Sequence, residues 1–119
     1  MPKQVIRSIT FQRLLAQAVV TDLAVAEQWY TTLFDGPPQS RPMDGLLEWH
    51  LGASFGAQVW LDPDRAGRSA MVVEESELDT LADRLSAAGI DHSGPQPGGG
   101  ARVLIVNDPD GNQVVVTGD

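Results

Sequence analysis

Hydrophobic positions change their spacing several times along this chain. Leu14–Val20 is an apolar run interrupted only by Gln17, short enough for a buried strand. Asp22 then offers an N-cap, and Leu23, Ala26, Tyr30 and Leu33 recur at three- and four-residue steps, which predicts an amphipathic helix. Gly36 stands where a left-handed C-cap belongs, and Pro37-Pro38 prevents continuation. From Leu47 the period drops to two: Leu47, Trp49 and Leu51 share one face of a strand, Glu48 and His50 the other. A turn over Gly52–Gly56 leads into a second short strand, Gln58–Leu61, stopped by Asp62-Pro63-Asp64.

The second half repeats this order. Ala70–Val73 is followed by Ser76 with Asp79 three positions on, a capping-box-like helix start. Leu78, Leu81, Leu85 and Ala88 form one helical face, and Gly89 ends it. Gly94–Gly100, with Pro95 and Pro97, reads as a flexible loop, a connector or a lid. Strands are expected at Arg102–Val106 and Gln113–Thr117 around the turn Asn107-Asp108-Pro109-Asp110-Gly111-Asn112. Gly56–Leu61 matches Gly111–Val116 without a gap, 55 residues apart, and the match extends to Leu46–Leu61 against Ala101–Val116. Strand, capped helix, glycine stop, strand and glycine turn therefore occur twice. The chain reads as an internal duplication: an α+β fold, one domain over 1–119, made of two modules at about 10–64 and 67–119.

Composition narrows the function. Sixteen acidic against eight basic residues give a net charge of −8, which argues against nucleic acid and anionic membranes as partners. No apolar run approaches the ~20 residues of a membrane span, and the N-terminus lacks the segments of a signal peptide, so a cytoplasmic location is expected. Without cysteine, disulfides, thiolate metal sites and cysteine nucleophiles are excluded. No phosphate loop, serine elbow or His-Glu-x-x-His motif is present.

With the repeat, the Asp108-Pro109-Asp110-Gly111-Asn112 turn, Val19-Val20-Thr21-Asp22-Leu23 and Trp29-Tyr30-Thr31-Thr32-Leu33-Phe34 in view, the chain resembles the vicinal oxygen chelate superfamily over nearly its whole length. That group includes glyoxalase I, extradiol dioxygenases and the fosfomycin- and bleomycin-resistance proteins. The resemblance implies two βαβββ modules in tandem, forming a curled mixed sheet around a cavity with helices outside, commonly in a homodimer. It also implies a divalent metal held by His near the start of each module's first strand and Glu on its last. Here those four positions carry Leu15, Arg68, Trp60 and Val115. Leucine, valine and indole offer a cation no usable lone pair, and arginine repels one. No metal and no cofactor are expected.

Strand alternation supplies a lining for the cavity independently. Val59, Leu61, Val114 and Val116 make the apolar parity suited to packing under the helices, which turns Gln58, Trp60, Gln113, Val115 and Thr117 to the concave side. Glu48 and His50 join them, as do Leu15, Gln17, Val19 and Thr21 and the set Arg68, Ala70 and Val72. The ligand-binding candidates are thus Gln17, Glu48, His50, Gln58, Trp60, Arg68, Gln113 and Val115, with Trp60 as a stacking platform or a cavity filler. Trp29 and Trp49 read as core residues.

Three functions compete. The first is a metal-free protein that sequesters an aromatic or peptide-like antibiotic or metabolite, cationic in charge if the acidic surface attracts it, in a dimer cavity. The second is a cofactor-independent isomerase or lyase in which His50 and Glu48 transfer a proton. The third is a metal enzyme with displaced ligands.

Overall fold

A computed structural model describes residues 10–119; the signal-peptide reading and the first nine residues of the expected domain lie outside them. The chain runs β1 (Leu14–Val20), α1 (Leu23–Phe34), β2 (Ser40–Met43), β3 (Leu46–His50), β4 (Phe55–Leu61), β5 (Ala70–Glu74), α2 (Leu78–Ala87), β6 (Gln96–Gly98), β7 (Ala101–Asn107) and β8 (Gln113–Gly118). This is βαβββ twice. Each module makes its own four-stranded mixed sheet, in the orders β1-β4-β3-β2 and β5-β8-β7-β6. The first strand pairs parallel with the last, and the remaining pairs are antiparallel.

Alternation decides which side of each sheet is covered. Ala18, Val20, Leu47, Trp49, Ala57 and Val59 in one sheet, and Met71, Leu104, Val106, Val114 and Val116 in the other, are buried together with Ala26, Tyr30, Leu33, Leu78, Ala82 and Leu85 of the helices. One apolar cluster thus runs through both modules. Its aromatic centre is Tyr30, with ring centroids 4.7 Å from Trp29, 5.8 Å from Phe34 and 6.1 Å from Trp49. The Trp49 indole Nε1 donates to Gly36 O at 2.9 Å, so a fully buried ring keeps its polar edge satisfied.

The Asp108–Asn112 turn fastens the modules together. The Asp108 carboxylate accepts from the backbone N–H of Asp110 and Asn112, each at 2.9 Å, from the Asn112 amide at 2.8 Å and from the Tyr30 hydroxyl at 2.7 Å. Burial and this carboxylate push the Tyr30 phenol well above its usual range. Asn112 donates to Val19 O and accepts from Ser69 N, both at 2.8 Å. Asp110 accepts from the hydroxyl and backbone N–H of Thr21 at 2.6 and 3.0 Å. Across the helices, Arg84 donates to Thr32 O at 2.6 Å, which also accepts the Asp35 N–H at 3.4 Å, and to Leu33 O at 2.9 Å at the end of α1.

Several local expectations change. Asp22 caps α1 as predicted, accepting from Val25 N at 3.1 Å, but the left-handed residue at its end is Asp35 (φ 58°), not Gly36. Ser76 makes no capping box; Glu77 is the N-cap of α2 without a side-chain bond, and Glu75 accepts the Glu77 N–H instead. Ala88 lies exposed beyond the last turn, and Ala82 takes the buried place beside Leu78 and Leu85. Leu61, at the end of β4, is also exposed rather than packed under a helix. The Gly94–Gly100 segment is not wholly a loop. Gln96–Gly98 pairs with β7, and Gly99-Gly100, both at positive φ, make the two-residue hairpin turn. The repeat needs a correction too. Gln58 and Gln113 correspond at the 55-residue spacing, but their ladder partners Glu48 and Asn107 lie 59 apart, because the β3–β4 ladder runs on past Gln58 to the pair His50–Gly56, whereas the β7–β8 ladder ends at Asn107–Gln113.

Candidate functional site

The face of the first sheet turned away from the helices carries a connected polar group. Register sets Gln17, Gln58 and Glu48 side by side across β1, β4 and β3. The Gln17 amide donates to Gln58 Oε1 at 3.2 Å, and the Gln58 amide donates to Glu48 Oε2 at 2.7 Å. The other carboxylate oxygen meets His50 Nε2 at 2.7 Å and Arg13 Nη1 at 3.4 Å. Glu48 is only 6% exposed, whereas Gln17 and His50 are exposed and Gln58 half-buried. A buried carboxylate must be paired or protonated, and this one is held below the ordinary carboxylate range. The bond from Gln58 contributes most and that from His50 next; burial opposes them, while the charges of Arg13 and His50 add to them. The backbone beside this group is fixed by Gln39, whose N–H donates to Glu48 O and whose side-chain oxygen accepts His50 N.

Of the residues singled out from the sequence, four therefore stand in one network: Gln17, Glu48, His50 and Gln58. Trp60 lies on the same face, half-buried, opposite Val19 on β1 and Leu46 on β3. Arg68, Gln113 and Val115 belong to the second module, and no hydrogen bond among the described residues links them to the network. Gln113 stands between Ala70 and Asn107, and Val115 between Val72 and Ile105. Arg68 precedes β5, exposed and without an ion pair among the described residues. This second face is largely apolar and open: Val72 is 69% exposed and Ile105 44%. Arg13 was not among the expected site residues. Its parity, two residues before Leu15, is the signal that extending the strand pattern backwards would have used.

The two ladders also pair the four positions that the resemblance assigns to a metal. Leu15 stands two residues before Gln17, and Arg68 two before Ala70, the ladder equivalent of Gln17; Trp60 and Val115 follow Gln58 and Gln113 by two. The residues at these structurally equivalent places do not fit a metal ion, and among the described residues no group of three or more His, Asp or Glu side chains is placed to hold one. A cleft of about 630 Å³ lies away from the network, between the end of α1, the β3–β4 connection, β5 and α2, with Leu33, Phe55, Val72 and Arg84 in its wall.

The fold and this site define a duplicated βαβββ protein with a polar network on one open sheet face and apolar groups on the other. Residues 13–116 match the family profile of the glyoxalase/bleomycin resistance protein/dioxygenase superfamily, and the chain belongs to that superfamily. Among solved structures it is similar to a glyoxalase/bleomycin resistance protein from Catenulispora acidiphila DSM 44928, at 23% identity over 90% of this chain and 97% of the other, with a TM-score of 0.82. TnmS3, an antibiotic binding protein from Streptomyces sp. CB03234, aligns at 20% identity over 95% and 98% of the two chains, with a TM-score of 0.78. A bleomycin-binding protein complexed with bleomycin aligns at 15% identity over 90% and 96%, with a TM-score of 0.73. No curated protein matches the chain by sequence. Among the described residues, no helix is long and apolar enough to cross a membrane.

Proposed function

We propose that this protein is a metal-free binding protein that sequesters an aromatic or peptide-like antibiotic or metabolite in a cavity completed by a second copy of the chain. The observation that carries the reading is the openness of both sheet faces. Their helix-side residues are buried, while Val72, Ile105, Gln17, His50 and Gln113 opposite them remain exposed. Apolar side chains left in water on a sheet face mark a surface that something covers. An apolar face on one module and a hydrogen-bonding face on the other complement each other, so two copies related by a two-fold axis, first module facing second, would enclose two cavities with one wall of each kind. In this reading Trp60 stacks on the ligand, Gln17, Glu48, His50 and Gln58 fix its orientation, and Arg68, Gln113 and Val115 contribute from the partner. Antibiotic- and bleomycin-binding proteins among the similar structures support binding as the role. A cytoplasmic location accompanies it.

The test is a tryptophan fluorescence titration with bleomycin as probe, alongside light scattering for mass. Expected are a dimer and saturable quenching that disappears in Trp60→Ala. A monomer at all concentrations, or quenching unchanged by Trp60→Ala, would refute the composite cavity.

A further inference from the structure

The polar network has a direction. Ionised Glu48 can only accept, so its 2.7 Å contact with His50 places the imidazole proton on Nε2. In the neutral imidazole Nδ1 is then the bare ring nitrogen. It takes no hydrogen bond among the described residues, and His50 is exposed. Few charges face this ring. Glu48 lies on its own strand and Arg13 ahead of β1; the neighbouring positions Gly56 and Gln58 on β4, and Gln39 and Ser40 at β2, are uncharged. With a neutral His50, Arg13 and Glu48 balance. A proton added at Nδ1 leaves one positive charge on the face, matched by one anionic oxygen on a ligand.

From this arrangement we infer that the face is a proton-accepting site for ligands bearing a weakly acidic hydroxyl, a phenol or an enol. The ligand O–H bond breaks, its electron pair stays on oxygen, and the proton passes to His50 Nδ1. The result is an imidazolium–oxyanion pair that Glu48 anchors from behind. Gln17 and Gln58 each keep one amide hydrogen free of the network and supply further donors to the oxyanion. The inference rests on the proposed ligand site being this face.

The experiment uses the full chain with 4-nitrophenol, whose colour reports its ionisation, at a pH below the free phenol's own pKa, and follows tryptophan fluorescence in parallel. Expected is saturable fluorescence quenching accompanied by the phenolate absorbance. His50→Phe should bind roughly tenfold or more weakly and without colour, a loss matching one charge-assisted hydrogen bond. Glu48→Gln, which frees the ring to present either nitrogen, should weaken the colour. Long-range proton–nitrogen NMR of the free wild type supplies a check independent of any variant, and should find Nδ1 bare. Saturable quenching by a phenol that stays neutral, or a proton found on Nδ1 of the free protein, would overturn the proton transfer and leave the binding face standing. No saturable response in either readout would remove the face as a site, and the inference with it.

Discussion

Removing the Asn112 side chain should cost far more than its size suggests. Asn112 is 1% exposed, and its amide serves three partners: Val19 O, Asp108 and the Ser69 N–H. In Asn112→Ala these fare differently. Val19 O keeps a bond from Gly67 N at 3.2 Å, and the Asp108 oxygen keeps the Tyr30 hydroxyl, but the Ser69 N–H has no other acceptor among the described residues. One orphaned, part-buried donor costs about 1–3 kcal/mol, and two weakened acceptors add about 1 kcal/mol together. The expected loss is about 2–4 kcal/mol, on the order of 10 °C in Tm for a domain of this size. Urea unfolding followed by far-UV circular dichroism, at one fixed protein concentration because association adds to stability, measures it. Asn107→Ala, at an exposed position of β7, is the control and should stay within about 0.5 kcal/mol of wild type. A loss for Asn112→Ala no larger than this control would show that the turn does not join the modules energetically.

Acid should act through Glu48. A carboxylate held below its unfolded value, near 4.3, contributes stability above that value and loses it as the pH falls through the folded one. Wild type should therefore shed stability below about pH 5 more steeply than Glu48→Gln in denaturant titrations across pH; parallel curves would contradict this. Two glycines should respond oppositely to alanine. A Cβ on Gly56 would sit 2.1 Å from Trp49 O, backbone that cannot swing aside, whereas at Gly36 it meets nothing within 4 Å. Gly56→Ala should lose more than about 2 kcal/mol and Gly36→Ala should be neutral or stabilised by a few tenths, both read as urea midpoints.

The sequence pattern was most informative where burial imposes a period. The alternation in Leu47–Leu51 and Gln58–Trp60 separates the two sides of the first sheet and puts Glu48, His50 and Gln58 together on the side away from the helices; that they bond to one another is not in the pattern. The ungapped repeat misplaced β3 against β7 by four residues. Because four is even, every side chain kept its face, and inferences from parity survived an incorrect register. The pattern failed where no side chain is buried. Ser40–Met43 and Gln96–Gly98 are edge strands with no buried side chain, and neither Ser-Arg-Pro-Met nor Gln-Pro-Gly carries an apolar alternation to reveal them. The left-handed turn at Asp35 was hidden for another reason: aspartate tolerates that conformation, so the glycine beside it attracted the assignment. Arg13 shares the parity of Leu15 and Gln17, but it lies ahead of the apolar run that marked the strand, so the pattern was not carried back to it.

The fastening between the modules is not symmetric, although Tyr30 and Thr21 of the first also reach the turn of the second. Asn112 of the second module reaches into the first, while the residue 55 positions earlier is Ala57, which has nothing to reach back with. Arg84 likewise closes the end of the first helix from the second. The halves have become lock and key: the first depends on the second for donors to its carbonyls, and two copies of the first half could not replace the whole. Their likeness records a shared origin, but they are no longer interchangeable parts.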